Sequence, residues 1–301
     1  MYITITEAIK ISGVPESTIR KLVEDGKLEF IDDVKIKVNK VDLLKSFPTV
    51  ISFFNQKGGV GKTSTSVLLA DYYEKKDMKI LIIDLDQQGN LSQTFLPFEE
   101  IQSGLTIYEF LENHTNLKKI VKTYNKNIDI ISADIRLATK ETIDTSILIK
   151  YKKEFISLFK DYQVVIIDCP PALNAFSRLA IILSNYVMIP LNDEPYCFIG
   201  LADAIDTINT MKEFNPSFVD FKGFTSKYIR TKAVIRESVK QEYANQLKNR
   251  FIDIEIPNFI GIVERATSRK NIYEMYPNDE SVKKIDDLFN RMNSIFYEER
   301  E

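Results

Sequence analysis

The stretch "FFNQKGGVGKTS", Phe53 to Ser64, governs how the rest of the chain is read. It has the shape of a phosphate-binding loop with one departure. The pattern G-x-x-x-x-G-K-[ST] asks for glycine at position 56, where this chain has Gln56, and a second cation, Lys57, stands beside it. An apolar run, "VISFFN" (50–55), leads in, and a helical segment, residues 64–75, leads out. That strand–loop–helix order is the context a phosphate loop requires. Gly58, Gly59 and Gly61, with Val60 between them, let backbone N–H groups turn toward phosphate oxygens where Cβ atoms would obstruct. The start of the helix, with Ser64 in its first turn, adds its positive dipole end. Lys62 is placed to reach the β- and γ-phosphates of a nucleotide and the Thr63 hydroxyl to ligate Mg²⁺.

Outward from the loop, apolar runs alternate with amphipathic segments. The runs are "ILIID" (80–84), "IDIIS" (128–132), "VVIIDC" (164–169), "YVMIPL" (186–191), "FKGFTSKY" (221–228) and "FIGIVE" (259–264). Near-continuous Ile and Val, rather than polar alternation, predicts strands buried on both faces of a parallel sheet, with crossover helices such as residues 200–214 between them. The fold class expected is α/β: a doubly wound, mostly parallel sheet over residues 49–301. A separate small domain is expected over residues 1–48. Residues 281–297 carry Val282, Ile285, Leu288, Phe289, Met292 and Phe296 at helical spacing. The acidic end "YEERE" opposes an anionic membrane, so a helix packed on the core is expected.

The 301 residues carry a formal charge of −3, so any nucleic-acid binding must come from a local basic face. Cys169 and Cys197 have no metal-ligand spacing and cannot build a disulfide framework, which fits a reducing compartment. The opening "MYITITEAIK" lacks the layout of a signal peptide, and no apolar run reaches membrane-spanning length. A soluble, cytoplasmic protein is expected.

A nucleotide-hydrolysing site also needs carboxylates to hold a metal shell and orient water. "ILIIDLDQQGN" ends in Asp84 and Asp86, and "VVIIDCPPAL" in Asp168. Parallel strands would bring all three to the edge where the loop opens. The two-residue period places Asp84 and Asp86 on one face, one for the metal shell and one for an attacking water.

With "NQKGGVGKTS", "LIIDLDQQGNLS" and "VVIIDCPPAL" in place, the chain resembles the ParA/MinD group of deviant Walker A ATPases, most closely the ParA-type partition ATPases. Weaker matches are "IRTKAVIRESV" and "IGIVERATSRKNIYE". The resemblance implies ATP and Mg²⁺ as cofactors and an ATP-dependent homodimer in which Lys57 crosses to the partner's nucleotide. It implies Lys62 on the phosphates of its own subunit, Thr63 on Mg²⁺, Asp84 holding the metal's water shell, Asp86 positioning the hydrolytic water and Asp168 as the Walker B carboxylate. The adenine pocket falls near Ser226–Tyr228 and Pro257. Two departures stand out: Gln87 replaces a proline in the second motif, and Gly261 stands where a basic residue is often found. The family further implies nonspecific DNA binding when ATP-bound, hence nucleoid association, and a ParB-like centromere-binding protein that stimulates hydrolysis.

Residues 222–270 hold eleven Lys/Arg against five Asp/Glu, the electrostatic footprint of phosphate-backbone contact or of a solvated charged face. The candidates are Arg230, Lys232, Arg236, Lys240, Arg265, Arg269 and Lys270. At the other end, "ITITEAIKISGVPESTIRKLVEDGKLEFI" reads as helix, turn, helix, followed by a wing-like "EFIDDVKIKV" and a third helix opened by Asn39. It resembles a minimal winged helix-turn-helix of the MerR/excisionase type, with Ser17, Thr18, Arg20 and Lys21 toward operator DNA. Eight basic and eight acidic residues leave this segment neutral, so a dimerisation or partner-docking module stays open. Rival readings are a membrane-associated MinD-like positioning ATPase and a nucleotide-gated transcriptional repressor. An iron–sulfur reductase sharing the loop lacks the cysteines it would need.

Overall fold

The computed structural model describes residues 2–12, 16–24, 26, 28–30, 35–37, 47–192, 197–228 and 233–298. The N-terminal unit is a three-stranded antiparallel sheet, with β1 (Tyr2–Thr4) and β2 (Glu29–Phe30) flanking β3 (Lys35–Lys37). Two short helices, Ile5–Ser12 and Glu16–Glu24, lie between β1 and β2. A reciprocal cap opens the first: Glu7 accepts from the Thr4 amide at 2.7 Å, and the Glu7 amide donates to Thr4 Oγ1 at 3.1 Å. Ile5, Ala8, Ile19, Leu22, Leu28, Ile36 and Phe47 form a small core, against which Ile156 packs. The third helix expected from Asn39 lies outside the described residues.

The main body is an eight-stranded sheet. Its strands are β4 (Thr49–Phe53), β5 (Ile80–Asp84), β6 (Val121–Thr123), β7 (Ile128–Ile131), β8 (Val164–Asp168), β9 (Tyr186–Leu191), β10 (Asp220–Tyr228) and β11 (Phe251–Pro257). They lie in the order β11-β10-β9-β4-β8-β5-β7-β6, every pairing parallel except β6 with β7. Both faces are covered. Val50, Leu81, Ile83, Val165, Ile167, Val187 and Ile189 enter one core, while Ile51, Phe53, Ile80, Ile82, Val164, Ile166 and Met188 enter the other. This alternation of two apolar destinations is why the strands read as unbroken hydrophobic runs.

One strand was expected in the wrong place. Residues 260–264 of "FIGIVE" belong to the helix Ile260–Ser268, and the edge strand is the preceding "FIDIEIP". The helix is inverted relative to a simple hydrophobic pattern: Ile260 and Val263 are 64% and 62% exposed, while Gly261 and Arg265 face inward. Gly261 is packed so closely that a Cβ would come within 2.3 Å of the Phe259 ring, leaving no room for a basic side chain. The edge strand itself buries Ile252 and Ile256 on one face, so it shows alternation instead of a continuous run.

The last helix, Glu280–Glu298, buries Val282, Ile285, Leu288, Phe289, Met292 and Phe296 in the second core. Tyr72 closes on it by donating to Asn290 Oδ1 at 2.7 Å, and Tyr186 donates to the Phe296 carbonyl at 3.1 Å. Its apolar stripe is spent on protein, which removes the membrane-seeking alternative for this helix. Among the described residues no helix is long and apolar enough to cross a membrane.

Candidate nucleotide site

The loop after β4 runs into the helix Lys62–Lys75 at the carboxyl edge of the sheet. Gly61 opens that helix at φ +96°, a conformation an L side chain resists. The back of the loop is held by protein. Asn55 Nδ2 donates to the Pro190 carbonyl at 2.9 Å, Asn55 Oδ1 accepts from the Lys57 amide at 2.9 Å, and the Ser226 hydroxyl donates to the Val60 carbonyl. Its front is open: a Cβ on Gly58 or Gly59 would meet nothing within 4 Å. Lys62 is 6% exposed and spans the loop, donating from Nζ to the Lys57 carbonyl at 2.9 Å. A pre-shaped backbone cradle with an open face is what a phosphate group needs.

Two carboxylates sit beside it. Asp84 and Asp168 are register partners at the ends of β5 and β8, and both are fully buried. Thr63 Oγ1 donates to Asp168 Oδ2 at 2.7 Å, and Ser66 Oγ lies 3.0 Å from Oδ1. Asp84 Oδ2 accepts from the Ser92 amide and hydroxyl at 2.8 and 2.7 Å, and Oδ1 from the Asp86 amide at 3.0 Å. Burial raises the Asp84 pKa to about 7, with a further push from Asp168; the Ser92 and Asp86 hydrogen bonds oppose the rise. Burial likewise raises Asp168 to about 6, while Thr63, Ser66 and the charge of Lys62 hold it down and Asp86 pushes it up. Two buried acids this close raise each other's cost of ionisation, a perturbation typical of functional sites.

Asp86 follows just beyond the strand, and Leu85 between it and Asp84 still enters the core of Leu81 and Ile83, which keeps the expected two-residue alternation. The strand stops at Asp84, and Asp86 sits in the turn beyond, where its Oδ1 accepts from the Gln88 amide at 3.0 Å. Gly89 completes this turn at φ +61°, where a Cβ would stand 3.0 Å from the Ala133 carbonyl oxygen. Asp86 thus lines a cavity of about 670 Å³ together with Gly58, Gly59, Gly61, Lys62, Thr63 and Ser64. The far wall comes from the helix Asn90–Phe95 and from Ile260–Ser268. Lys57 is half-buried at the loop's outer end.

Ser226 and Pro257, expected near adenine, lie on the two strands behind the loop. The buried Ser226 hydroxyl braces the loop from behind, and neither residue lines this cavity. Two residues unremarked in the sequence matter here. Ser66 lies three residues after Thr63, one helical turn along, and so reaches the same carboxylate; Ser92 clamps Asp84 from the next helix. Cys169 is buried beside Asp168, and burial, reinforced by the Asp168 charge, pushes its thiol up and makes it a poor thiolate.

The basic candidates divide. Arg269 and Lys270 are exposed, just past the end of Ile260–Ser268. Arg265 is 1% exposed and holds Asp71 through Nε (3.0 Å) and Nη2 (2.8 Å), so it cannot face DNA. Its position turns inward because Asp71, on the loop helix, supplies a buried counter-charge. Lys240 pairs with Asp253 and with Glu255 at 3.7 Å on β11, which cancels much of its charge. Arg236 lies on the helix Ala233–Leu247 with its side chain outside the described residues, as Arg230 and Lys232 are altogether. In the N-terminal unit Arg20 is tied to Glu16 at 2.6 Å; the side chains of Ser17, Thr18 and Lys21 lie outside the described residues.

Comparison with known proteins agrees with this geometry. The model of the AAA domain family AAA_31 matches residues 48–219. The chain is 28% identical over 245 residues to the sporulation initiation inhibitor protein Soj of Bacillus subtilis, covering 79% of this chain and 96% of that protein. It is 33% identical over 195 residues to the chromosome-partitioning ATPase Soj of Treponema pallidum, covering 63% and 75%. Among solved structures, cobyrinic acid a,c-diamide synthase of Mycobacterium smegmatis with bound ADP and magnesium superposes with a TM-score of 0.65 at 22% identity, over 73% of this chain and 91% of that one, a likeness of fold. The cradle at Gly58–Thr63, the paired carboxylates behind it and these relatives lead to one assignment: the chain belongs to the AAA_31 family of AAA domains and is a ParA-type P-loop ATPase.

Proposed function

We propose that this ATPase is a DNA-partition switch: ATP with Mg²⁺ drives homodimerisation and nonspecific DNA binding, and partner-stimulated hydrolysis resets it. The observation that carries the reading is the pair Asp84–Asp168 at one register position, with Thr63 already bonded to Asp168 and the open loop in front. The oxygen donors fit Mg²⁺. Among the described residues no cluster of three His, Cys, Asp or Glu forms a closed cage, and Mg²⁺ takes few protein ligands beside water and phosphate. Thr63 would ligate it, while Asp84 and Asp168 would hold its water shell; when bound, it neutralises charge shared by the β- and γ-phosphates. Asp86, in the turn at the cavity edge, orients the attacking water and takes up its proton. Lys62 leaves the Lys57 carbonyl for the phosphates. Lys57 reaches the nucleotide of the second copy.

The curated relatives named for chromosome partitioning support the cellular role. Arg269 and Lys270, with Arg236, Arg230 and Lys232, would supply the DNA-facing cations, and a ParB-like protein the stimulus. The boundary near residue 48 separates this ATPase from an N-terminal unit whose helix pair and hairpin support a winged helix-turn-helix, suited to operator binding and autoregulation. The test is nonspecific duplex binding with ATP, ADP and no nucleotide, with Lys57→Ala and Asp86→Ala alongside. Asp86→Ala should retain the ATP dimer on DNA while turnover stalls, and Lys57→Ala should lose the ATP dependence. Binding indifferent to nucleotide and to both substitutions would sink the switch.

A further inference from the structure

Arg265 is among the largest fully buried side chains, has no role in the nucleotide chemistry proposed above, and joins three elements. Its guanidinium holds the fully buried Asp71 of the loop helix and lies 4.7 Å over the Phe95 ring, on the helix anchored to Asp84 through Ser92. The segment that follows is tied to the same two elements. The Ile272 amide donates to Asp71 Oδ2 at 2.8 Å, and Asn271 Nδ2 donates to the Asp71 carbonyl at 3.1 Å and to Glu74 at 2.7 Å. Arg269 Nη2 donates to the Leu96 carbonyl at 3.1 Å, and its own carbonyl accepts from the Tyr124 hydroxyl. Residues 265–272 are therefore clamped between the helix that begins at the phosphate loop and the helix that reports on Asp84.

A buried ion pair is a poor way to gain stability, since well-packed apolar residues serve as well or better. Arg265 also keeps one buried nitrogen, Nη1, without a hydrogen-bond partner, a further cost. What the pair provides instead is directionality: three hydrogen-bond geometries with one carboxylate fix helix Ile260–Ser268 to the loop helix.

We propose that Arg265 is a positioning residue, a strut through Asp71 that transmits occupancy of the phosphate loop to the exposed Arg269–Lys270 segment. The DNA half of this proposal rests on the partition reading above; the mechanical half does not. Amide hydrogen exchange separates them. In the full chain, a non-hydrolysable ATP analogue with Mg²⁺ should slow exchange both in the loop helix and in residues 262–272. In Asp71→Leu/Arg265→Met, which replaces the pair with apolar side chains of similar volume, loop-helix protection should persist and protection of 262–272 should vanish. Arg265→Lys, which keeps the charge but loses the fork, should give partial loss and covers the case of a double variant that fails to fold. Protection of 262–272 that survives in the variants, or that never occurs in the wild type, overturns the strut. In parallel, the ATP-over-ADP preference for a random duplex should fall by about tenfold in the double variant, within the range of ordinary coupling energies. A wild type with exchange coupling but no nucleotide-dependent DNA binding would overturn the partition reading and leave the strut standing.

Discussion

Asp84 and Asp168 show how single residues here carry both cost and use. Free carboxylates titrate near pH 4, so in the folded, nucleotide-free protein these two hold protons over a window where the unfolded chain has lost them. The fold then binds more protons than the unfolded state between roughly pH 4 and 7, and stability contributed by these groups falls as pH rises through that window. Asp168→Asn should flatten this part of the profile. Its neighbours Thr63 and Ser66 are hydroxyls that can rotate to accept from an amide, so the substitution is accommodated. We expect the apo variant to melt higher than wild type at pH 8, by an amount on the order of 2–3 kcal/mol, and the gap to close near pH 4. Hydrolysis should be lost in the same variant. Thermal scans across pH without nucleotide check this; an equal pH slope in both proteins would contradict it. Asp86→Ala, by contrast, should lower turnover by about 10²–10⁴-fold on the water-orienting role proposed for it, with little change in melting, since its carboxylate gives the fold one bond to the Gln88 amide.

At the scale of elements, legibility in the sequence follows from how each segment is buried. Strands β4, β5, β8 and β9 lie between two covering layers, so their apolar runs admit one interpretation, and the loop motif between a strand and a helix did the rest. The edge told less. β11 is half-exposed and β6 is the three-residue segment "VKT", too short and polar to announce itself. Helix Ile260–Ser268 inverts the usual pattern, and only the distant Asp71, 194 positions away, explains why Arg265 belongs inside. No local rule can supply such a partner. Two element-level predictions follow from packing. Gly89→Ala should cost about 1–2 kcal/mol, through its positive φ and the contact with the Ala133 carbonyl, and should slow hydrolysis by displacing the Asp86 turn. Phe289→Ala should cost about 3–5 kcal/mol, since the ring is fully buried against Tyr72 at 5.5 Å. Equilibrium denaturation measures both, and a loss under 1 kcal/mol for Phe289→Ala would mean that the last helix is not integral to the core.

Over the whole molecule the electrostatics are uneven. The chain is acidic at −3, yet residues 222–270 carry a basic excess, and burial then redistributes it. Arg265 is consumed by Asp71 and Lys240 is shared by two acids, whereas Arg269 and Lys270 stay at the surface beside the wall of the nucleotide cavity. Among the described residues, composition counts charge without counting partners, and Arg265 and Lys240 are two cations it counts that have them. On the DNA reading proposed above, Arg269 and Lys270 are a small cationic pair among the described residues that a dimer would double. A dimer contributes two copies of Arg269 and Lys270, and each phosphate contact adds about 0.9 to the slope of log affinity against log salt. Arg269→Ala/Lys270→Ala should therefore reduce that slope by up to about 4 in the ATP state if all four cations touch phosphate. Arg265→Lys should leave the slope near its wild-type value, since Arg265 is buried and meets no phosphate directly. ATP hydrolysis without DNA should survive the double alanine substitution, because neither side chain lines the cavity. Fluorescence anisotropy of a random duplex, titrated at several salt concentrations with ATP and with ADP, separates these outcomes. A slope unchanged by the double substitution would move the DNA face away from this segment, toward the Arg236 helix or the N-terminal unit.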